Sequence, residues 1–456
     1  MNGRLHLVAL LIAVLAGACV APAARSPGTS QAGEIRVGAV FPLEGDAAAL
    51  AGQQLLGTRI AAEFANAAGG IAGRRVVLDV RNLDSGGDAD AVMRSLREAG
   101  ARVVIGAYSS ELSIAASRAA DSAGLVYWEA GAVADQLTGR GLPRVFRVGA
   151  SGTNLGSNSA AFAAAELARR LGKTAQQMRV AFVNAQDDYA RSVADAAAST
   201  ATSKGLPVVS RTSYSLSAPA WGDIMSELAR SRPDVIILAS HIPDGIAFRR
   251  AMLAANLRVG ALIGSTMAQC DPDFAGDLGP DAVGIFASDR PTGGFQPSAL
   301  GPAARALYDR LAVAWAARTD GPREPGRYAT LHPASSTAEY TITGPVEAGS
   351  SAAGPSEEGL SGFSAAWALF HDVLPTAIRS GRLDGAAVAA AARSIDLPTG
   401  SLPNGAGLRF SVDPARLGQN ERAAAVIWQW QAVRTYAFVW PPTYATGSID
   451  FVPLQR

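Results

Sequence analysis

Short apolar strand-like runs alternate with longer helix-like segments through most of the chain, and this alternation restricts the folds open to it. Ile35–Phe41 is a β-branched run, Ala49–Ala67 has apolar residues at helical spacing, and Val76–Val80 is the next strand-like run. The runs are apolar on both faces, which is typical of parallel strands covered by helices on both sides. The pattern predicts an α/β fold with doubly wound parallel sheets.

The alternation begins again after Gly152, which indicates a second α/β unit of similar size. Open parallel sheets bind ligands beyond the carboxyl ends of their strands. Two such units that face each other would form a ligand cleft between two lobes. A segment rich in Ser, Gly, Thr, Ala, Glu and Pro, 334–359, interrupts the pattern and is interpreted as a surface insertion.

The first nineteen residues have the order of a secretory signal. A basic start is followed by the apolar run Leu5–Ala16 and then by Gly17-Ala18-Cys19. That run is shorter than the roughly 20 residues of a spanning helix, so we expect a signal peptide over 1–18. Cys19 is a candidate for lipid attachment to the membrane, with 19–33 as a flexible tether. The alternative is an ordinary secreted protein in which Cys19 is incidental.

Composition and motifs argue against several classes of protein. A formal net charge of +1 gives no reason to expect nucleic acid as a partner, and two cysteines exclude a disulfide scaffold. Neither HExxH nor GxSxG occurs, and Gly172-Lys173-Thr174 lacks the first glycine of a P-loop. We therefore expect no metal, no cofactor and no enzymatic activity.

Several segments, taken in order, resemble one known family. They are IRVGAVFPLEGDAAALAGQQLLGTRIAAEFANAAGGIAGRRVVLDVRN, VVIGAYSS, GRGLPRVFRVGASGTNLG, RVAFVNAQDDYARS, and the closing GQNERAAAVIWQWQ and VWPP. Their order and spacing are similar to those of the type I periplasmic solute-binding proteins of ABC transporters, in the branch that binds leucine, isoleucine and valine. The resemblance covers nearly all of 34–442 apart from the insertion.

The resemblance implies two lobes that close on a ligand by hinge motion, with three chain crossings between them. We expect the crossings near Gly152, Ser288 and Gly405. The first lobe would then comprise 34–152 and 288–405, and the second 153–287 and 406–456.

The resemblance also points to ligand-binding residues in the first lobe. Ser109 and Ser110 lie between a strand and a helix, where hydroxyls and helix-start amides can hold a carboxylate. Ala130, Gly131 and Ala132 follow the next strand, and Ala132 stands where the family has a hydroxyl, so only backbone contacts are expected there. The alternative for the two serines is simple helix capping.

In the second lobe the resemblance points to Tyr189, His241, Asp244 and Thr266. Tyr189 would cover the apolar part of the ligand, and His241 stands where the family has a ligand-facing tyrosine. Thr266 stands where the amino-acid binders carry an acid for the ligand ammonium, and its hydroxyl cannot neutralise a cation. Either Asp244, Glu129 or Glu111 supplies that charge, or the ligand is not a standard amino acid.

The resulting expectation is an extracytoplasmic protein that captures a small carboxylate-bearing solute, such as an amino acid, and passes it to the permease subunits of an ABC importer. Two alternatives remain open at this point. One is a sensing module of the same fold that reports to a signalling partner, and the other is a secreted α/β enzyme.

Overall fold

The computed structural model describes residues 33–45, 47–265, 272–319, 330–334, 339–343, 354–433 and 435–454. Its first sheet is wholly parallel, with the strand order β2-β1-β3-β4-β5. The strands are β1 (Glu34–Phe41), β2 (Arg75–Asn82), β3 (Val103–Gly106), β4 (Val126–Glu129) and β5 (Val145–Arg147).

The second sheet has seven strands in the order β14-β13-β10-β9-β8-β6-β7. Five are parallel, and β13 and β14 add an antiparallel edge. The strands are β6 (Val180–Ala185), β7 (Val208–Tyr214), β8 (Val235–Ala239), β9 (Ala261–Ser265), β10 (Phe286–Asp289), β13 (Val426–Ala432) and β14 (Thr435–Trp440). A separate antiparallel hairpin pairs β11 (Thr330–Ala334) with β12 (Glu339–Thr343).

Helices cover the sheets, as the alternation predicts. Those before β10 are α1 (Ala48–Ala67), α2 (Ala89–Glu98), α3 (Ser110–Ser122), α4 (Gly152–Phe162), α5 (Ala168–Arg170), α6 (Asp188–Ser203), α7 (Trp221–Ser231), α8 (Ile242–Ala254) and α9 (Pro272–Leu278). Those after it are α10 (Pro302–Thr319), α11 (Glu357–Ala368), α12 (Leu374–Arg379) and α13 (Gly385–Ser394). The two-sheet α/β architecture expected from the sequence is confirmed. In the described part of the chain, no helix is both long enough and apolar enough to cross a membrane.

Buried apolar side chains fix each sheet between its helices. In the first lobe, defined by the β1–β5 sheet, Trp128 of β4 packs against Phe146 and Phe410, and its indole Nε1 donates to the carbonyl of Ala365 in α11 at 2.8 Å. Helices α1 and α11 lie so close together that a Cβ on Gly57 would be 2.0 Å from the carbonyl oxygen of Gly359. This contact holds the start of α11 on the first lobe.

Strand pairing shows where the chain passes between the lobes. The second lobe is defined by the β6–β10, β13 and β14 sheet, so the chain leaves it after Asp289 and rejoins it at Val426. The expected crossing near Gly405 is too early, because isolated bridges join Arg147 to Gln419 and Phe410 to Asn420. These bridges keep 406–420 on the first lobe.

The predicted C-terminal boundary of the insertion 334–359 is too late, because Glu357 already begins the buried helix α11.

Candidate functional site

The carboxyl ends of the two sheets face each other. The segment Asp135–Leu137 lies beyond β4 of the first lobe, and α6 begins beyond β6 of the second. The backbone nitrogen of Asp135 donates to Ser192 Oγ at 3.0 Å, and Gln136 Nε2 donates to Asp188 Oδ1 at 3.3 Å. These two contacts join the loop after β4 in the first lobe to the first turns of α6 in the second lobe.

Ser109 and Ser110 lie in the loop that leads from β3 into α3. Ser109 Oγ caps α3 by accepting the N–H of Leu112 at 3.3 Å. Ser110 Oγ accepts the N–H groups of Val133 at 3.2 Å and Ala134 at 3.0 Å, and so ties the loops after β3 and β4 together. Because both hydroxyls act as acceptors in these bonds, each keeps its own proton for donation to a further acceptor.

The loop after β4 is organised by a carboxylate of this chain. Glu129 Oε1 accepts the backbone N–H groups of Ala130, Gly131 and Ala132 at 3.0, 2.8 and 3.0 Å. Glu129 is fully buried, and its Oε2 accepts the hydroxyl of Tyr127 at 3.0 Å. Burial raises the pKa of Glu129, and the hydrogen bonds that it accepts offset only part of this effect. The three amides predicted to contact a ligand therefore already have an internal partner.

Arg290 joins the two lobes at the same edge. It follows β10, donates from Nη1 to the carbonyl of Gly131 at 2.6 Å, and forms an ion pair with Glu357 at the start of α11. Arg290 is 3% exposed. Burial disfavours its charge, but the carboxylates of Glu357 and Asp289 outweigh this and raise the pKa of Arg290. The guanidinium thus connects the segment after β10, where the chain returns to the first lobe, with the loop after β4.

Tyr189 lies in the first turn of α6 and is 4% exposed. Its hydroxyl shares a hydrogen bond with Ser265 Oγ at 2.7 Å and donates to the carbonyl of Ser240 at 3.2 Å. These bonds reach the ends of β8 and β9, so the phenol ring is fixed at the carboxyl edge of the second sheet. The ring meets the imidazole of His241 edge-on, with a centroid separation of 5.3 Å.

Asp244 lies in the first turn of α8 and accepts two hydrogen bonds there. Asp244 Oδ1 accepts the backbone N–H of His241 at 3.0 Å, and Oδ2 accepts the hydroxyl of Tyr214. Burial and the Asp244 carboxylate raise the pKa of Tyr214, which keeps this phenol protonated as a donor. The imidazole Nε2 of His241 lies 3.7 Å from Oδ2 of Asp187, the residue that caps α6.

The structure places Ser109, Ser110 and 130–132 at the ends of β3 and β4 in the first lobe, and Tyr189, His241 and Asp244 at the ends of β6 and β8 in the second. Thr266 and Cys19 lie outside the described residues. Three acids were considered as the counter-charge for a ligand ammonium. Glu129 accepts backbone amides of its own loop, Asp244 accepts the hydroxyl of Tyr214, and Glu111 is exposed on α3. Within the described ranges, no group of three or more His, Cys, Asp or Glu residues has the arrangement of a metal site.

Sequence reasoning missed Asp187 and Arg290. Asp187 lies just beyond β6 and Arg290 directly follows β10, and this position at a strand end is the signal that would have identified them. The ion pair of Arg290 with Glu357 is not predictable from the sequence, because the predicted surface insertion 334–359 includes Glu357.

Comparison with known proteins agrees with this architecture. The periplasmic binding protein family matches residues 34–330. A "Leu/Ile/Val-binding protein homolog 8" from Brucella abortus is 28% identical over 432 residues, covering 93% of this chain and 94% of its own length.

Among solved structures, a substrate-binding protein from Desulfitobacterium hafniense in complex with Leu has a TM-score of 0.62 at 19% identity, covering 89% of this chain and all of its own. A solute-binding protein from R. palustris in complex with benzoate has a TM-score of 0.62 at 15% identity, covering 93% of this chain and all of its own. The two mainly parallel sheets and the family match over 34–330 together identify this chain as a member of the periplasmic binding protein family, with the type I fold.

Proposed function

We propose that this protein captures a small carboxylate-bearing solute, an amino acid or a related compound, and delivers it to the permease of an ABC importer without altering it chemically. The observation that carries the proposal is the pair of hydroxyls, Ser109 and Ser110, whose protons remain available at the carboxyl edge of the first sheet. Hydrogen bonds from hydroxyls to a carboxylate are charge-assisted and therefore stronger than neutral ones.

The opposite wall suits the rest of such a solute. Tyr189 offers a ring whose hydroxyl is already satisfied by Ser265 and Ser240, so the aromatic surface can cover apolar atoms without leaving a polar group unpaired. The ligands of the two structural relatives, leucine and benzoate, both combine a carboxylate with an apolar body. This shared chemistry supports the same class of solute here.

Capture follows from differential affinity. A solute that contacts both walls only when they approach stabilises the closed arrangement by the free energy of those added contacts. Release to the permease requires only that the lobes separate again. The protein would act outside the cytoplasmic membrane, held to it by a lipid on Cys19 and met by permease subunits at the surface.

A thermal-shift screen tests the proposal. Amino acids, small amides and aromatic acids are added separately to the purified protein, and hits are measured by calorimetry. A specific solute should raise the midpoint of thermal unfolding by mass action, because it binds the folded state only. No shift with any of the amino acids or aromatic acids, combined with a shift from one of the uncharged amides, would reject the proposed solute class.

A further inference from the structure

Charged side chains surround the loop that follows β4. Glu129 accepts the N–H groups of 130–132, and Arg290 donates to the carbonyl of Gly131. A second guanidinium, that of Arg147 at the end of β5, contacts the same loop further along the chain. Arg147 is also linked, through this loop, to a hydroxyl that we assign to solute binding.

Arg147 is 1% exposed and donates to three successive carbonyl groups. Its Nη1 lies 3.3 Å from the carbonyl oxygen of Ala132, 2.8 Å from that of Val133 and 2.6 Å from that of Ala134. Its Nε donates to Gln419 Oε1 at 2.6 Å, which fixes the other end of the guanidinium. The positive charge is therefore held against the carbonyl side of the loop.

Two of these carbonyls belong to peptide groups whose N–H bonds are directed at Ser110. In the peptide group between Ala132 and Val133, the oxygen accepts from Arg147. The nitrogen of the same group donates to Ser110 Oγ at 3.2 Å. The next peptide group, between Val133 and Ala134, repeats this arrangement, with its nitrogen 3.0 Å from Ser110 Oγ. Each peptide dipole thus has its negative end at the guanidinium and its positive end at the serine hydroxyl.

The guanidinium keeps its charge in this buried position. Burial lowers the pKa of Arg147 to about 10, so the side chain is protonated at neutral pH. Asp135 Oδ1 lies 3.7 Å from Nη2, but the Asp135 side chain is 38% exposed and water screens its opposing charge. A cation at the oxygen of a peptide group polarises that group and strengthens its N–H as a donor. Two strengthened donors polarise the Ser110 hydroxyl in turn, which makes its proton a better donor to an anion.

We propose that Arg147 is a positioning residue for the carboxylate of the solute, on which it acts through two peptide groups and the Ser110 hydroxyl. This inference rests on the proposed function and extends it to a residue that does not touch the solute. Ser109 differs from Ser110, because its Oγ accepts the N–H of Leu112 at the start of α3. The two serines should therefore contribute unequally, with the stronger contact from Ser110.

The first arm of the test compares the two serines in the presence of native Arg147. Calorimetry measures the binding of leucine and of benzoate, the ligands of the two structural relatives, to wild type, Ser110→Ala and Ser109→Ala. For at least one probe, Ser110→Ala should weaken binding about tenfold or more, and Ser109→Ala should weaken it less. Equal losses, or a larger loss in Ser109→Ala, would overturn the inference and leave the proposed function standing. If neither probe binds wild type, or neither variant loses affinity, both fail.

The second arm is a double-mutant cycle between Arg147 and the serines. Arg147→Gln removes the charge but keeps N–H donors, and it should weaken binding of the same probe about tenfold. In the Ser110→Ala background this effect should fall below about twofold, whereas in the Ser109→Ala background it should remain. Arg147→Lys keeps a positive charge with three N–H donors and should restore most of the affinity. A purely structural arginine would show the same effect in every background, and that result would overturn the inference.

Arg249→Gln is the matched control, since Arg249 is also buried but donates to the carbonyl of Asp281 in the second lobe. This variant should lower the free energy of unfolding in urea and leave the affinity for the probe unchanged. A loss of affinity as large as that of Arg147→Gln would overturn the inference. If Arg147→Gln does not fold, the comparison between Ser110→Ala and Ser109→Ala still decides.

Discussion

The carboxylate oxygen Oε1 of Glu129 lies 2.8 Å from the backbone nitrogen of Gly131 and accepts its N–H. The amide at the middle of the loop after β4 is therefore already bonded to a side chain of the first lobe. The adjacent amides of Ala130 and Ala132 are engaged in the same way. Of the first-lobe residues predicted to bind the solute, Ser109 and Ser110 therefore carry the side-chain donors that we propose for its carboxylate. In this proposal Glu129 fixes the shape of the loop, and the serines contact the solute.

Replacing both serines should weaken solute binding. Ser109→Ala with Ser110→Ala removes two donors, and we expect a loss of about 1–3 kcal/mol in binding free energy, measured by calorimetry on a solute found by the screen. Because Ser109 also caps α3, the free energy of unfolding should fall by about 1 kcal/mol. Ser122→Ala, at the exposed end of α3, is the control. Unchanged affinity in the double variant would remove the serines from the site.

The buried Glu129 predicts a dependence of stability on pH. The folded protein raises the pKa of this carboxyl above its ordinary value of 4.5, mainly through burial, so it holds the proton more tightly than the unfolded chain does. The contribution of Glu129 to the free energy of unfolding is therefore complete below about pH 4.5 and is lost as the pH rises through the raised pKa. Glu129→Gln should thus gain stability relative to wild type over that range.

Urea unfolding of wild type and Glu129→Gln at several pH values measures this difference. Glu111→Gln, at an exposed carboxyl on α3, serves as the matched control. A difference between wild type and Glu129→Gln that stays constant from acidic to neutral pH would show that Glu129 does not titrate differently on folding.

The ion pair between Arg290 and Glu357 predicts an asymmetry between its two ends. Arg290→Met leaves the carboxylates of Glu357 and Asp289 buried without a cation, and we expect it to cost about 3–5 kcal/mol of unfolding free energy. Glu357→Gln should cost less, because Asp289 still faces the guanidinium. Arg305→Met breaks an exposed pair with Asp309 and should cost about 1 kcal/mol or less. Equal losses at both ends would contradict this account of the cluster.

The close approach of α1 to α11 can be tested with one methyl group. Gly57→Ala would place a Cβ against the backbone of Gly359, and we expect a loss of about 1–3 kcal/mol as the helices are pushed apart. Gly222→Ala is the matched helical control, because a Cβ there meets nothing within 4 Å. It should stabilise α7 by about 0.5–1 kcal/mol in the same urea experiment. If Gly57→Ala did not change the free energy of unfolding, α1 and α11 could move apart without loss of stability, which would contradict this account.

Much of the fold was predictable because hydrophobic periodicity sets strands and helices directly. Val180–Asn184 and Asp188–Ser203, for example, were expected from sequence and correspond to β6 and α6. The third crossing was misplaced because 406–420 stay on the first lobe through isolated bridges, such as that between Arg147 and Gln419. Such bridges leave no periodic pattern in the sequence.

The position of the candidate residues at strand ends was predictable from the sequence, whereas their hydrogen-bond partners were not. Ser109, Tyr189 and His241 lie beyond the carboxyl ends of β3, β6 and β8, as the alternation of strands and helices predicts. The Gly131 amide donates to Glu129 because the backbone turns sharply there and the Glu129 side chain folds back onto it. The sequence does not reveal this turn.

The most direct test of the central claim is a distance measured between the lobes. Spin labels are placed at Glu111 and Gln186, two exposed positions beyond β3 and β6, in a chain whose native cysteines at 19 and 270 are replaced by serine. If the solute binds between the lobes and draws them together, the distance distribution should shift to shorter values and narrow when it is added. An unchanged distribution under conditions where calorimetry shows the same solute fully bound would contradict the account.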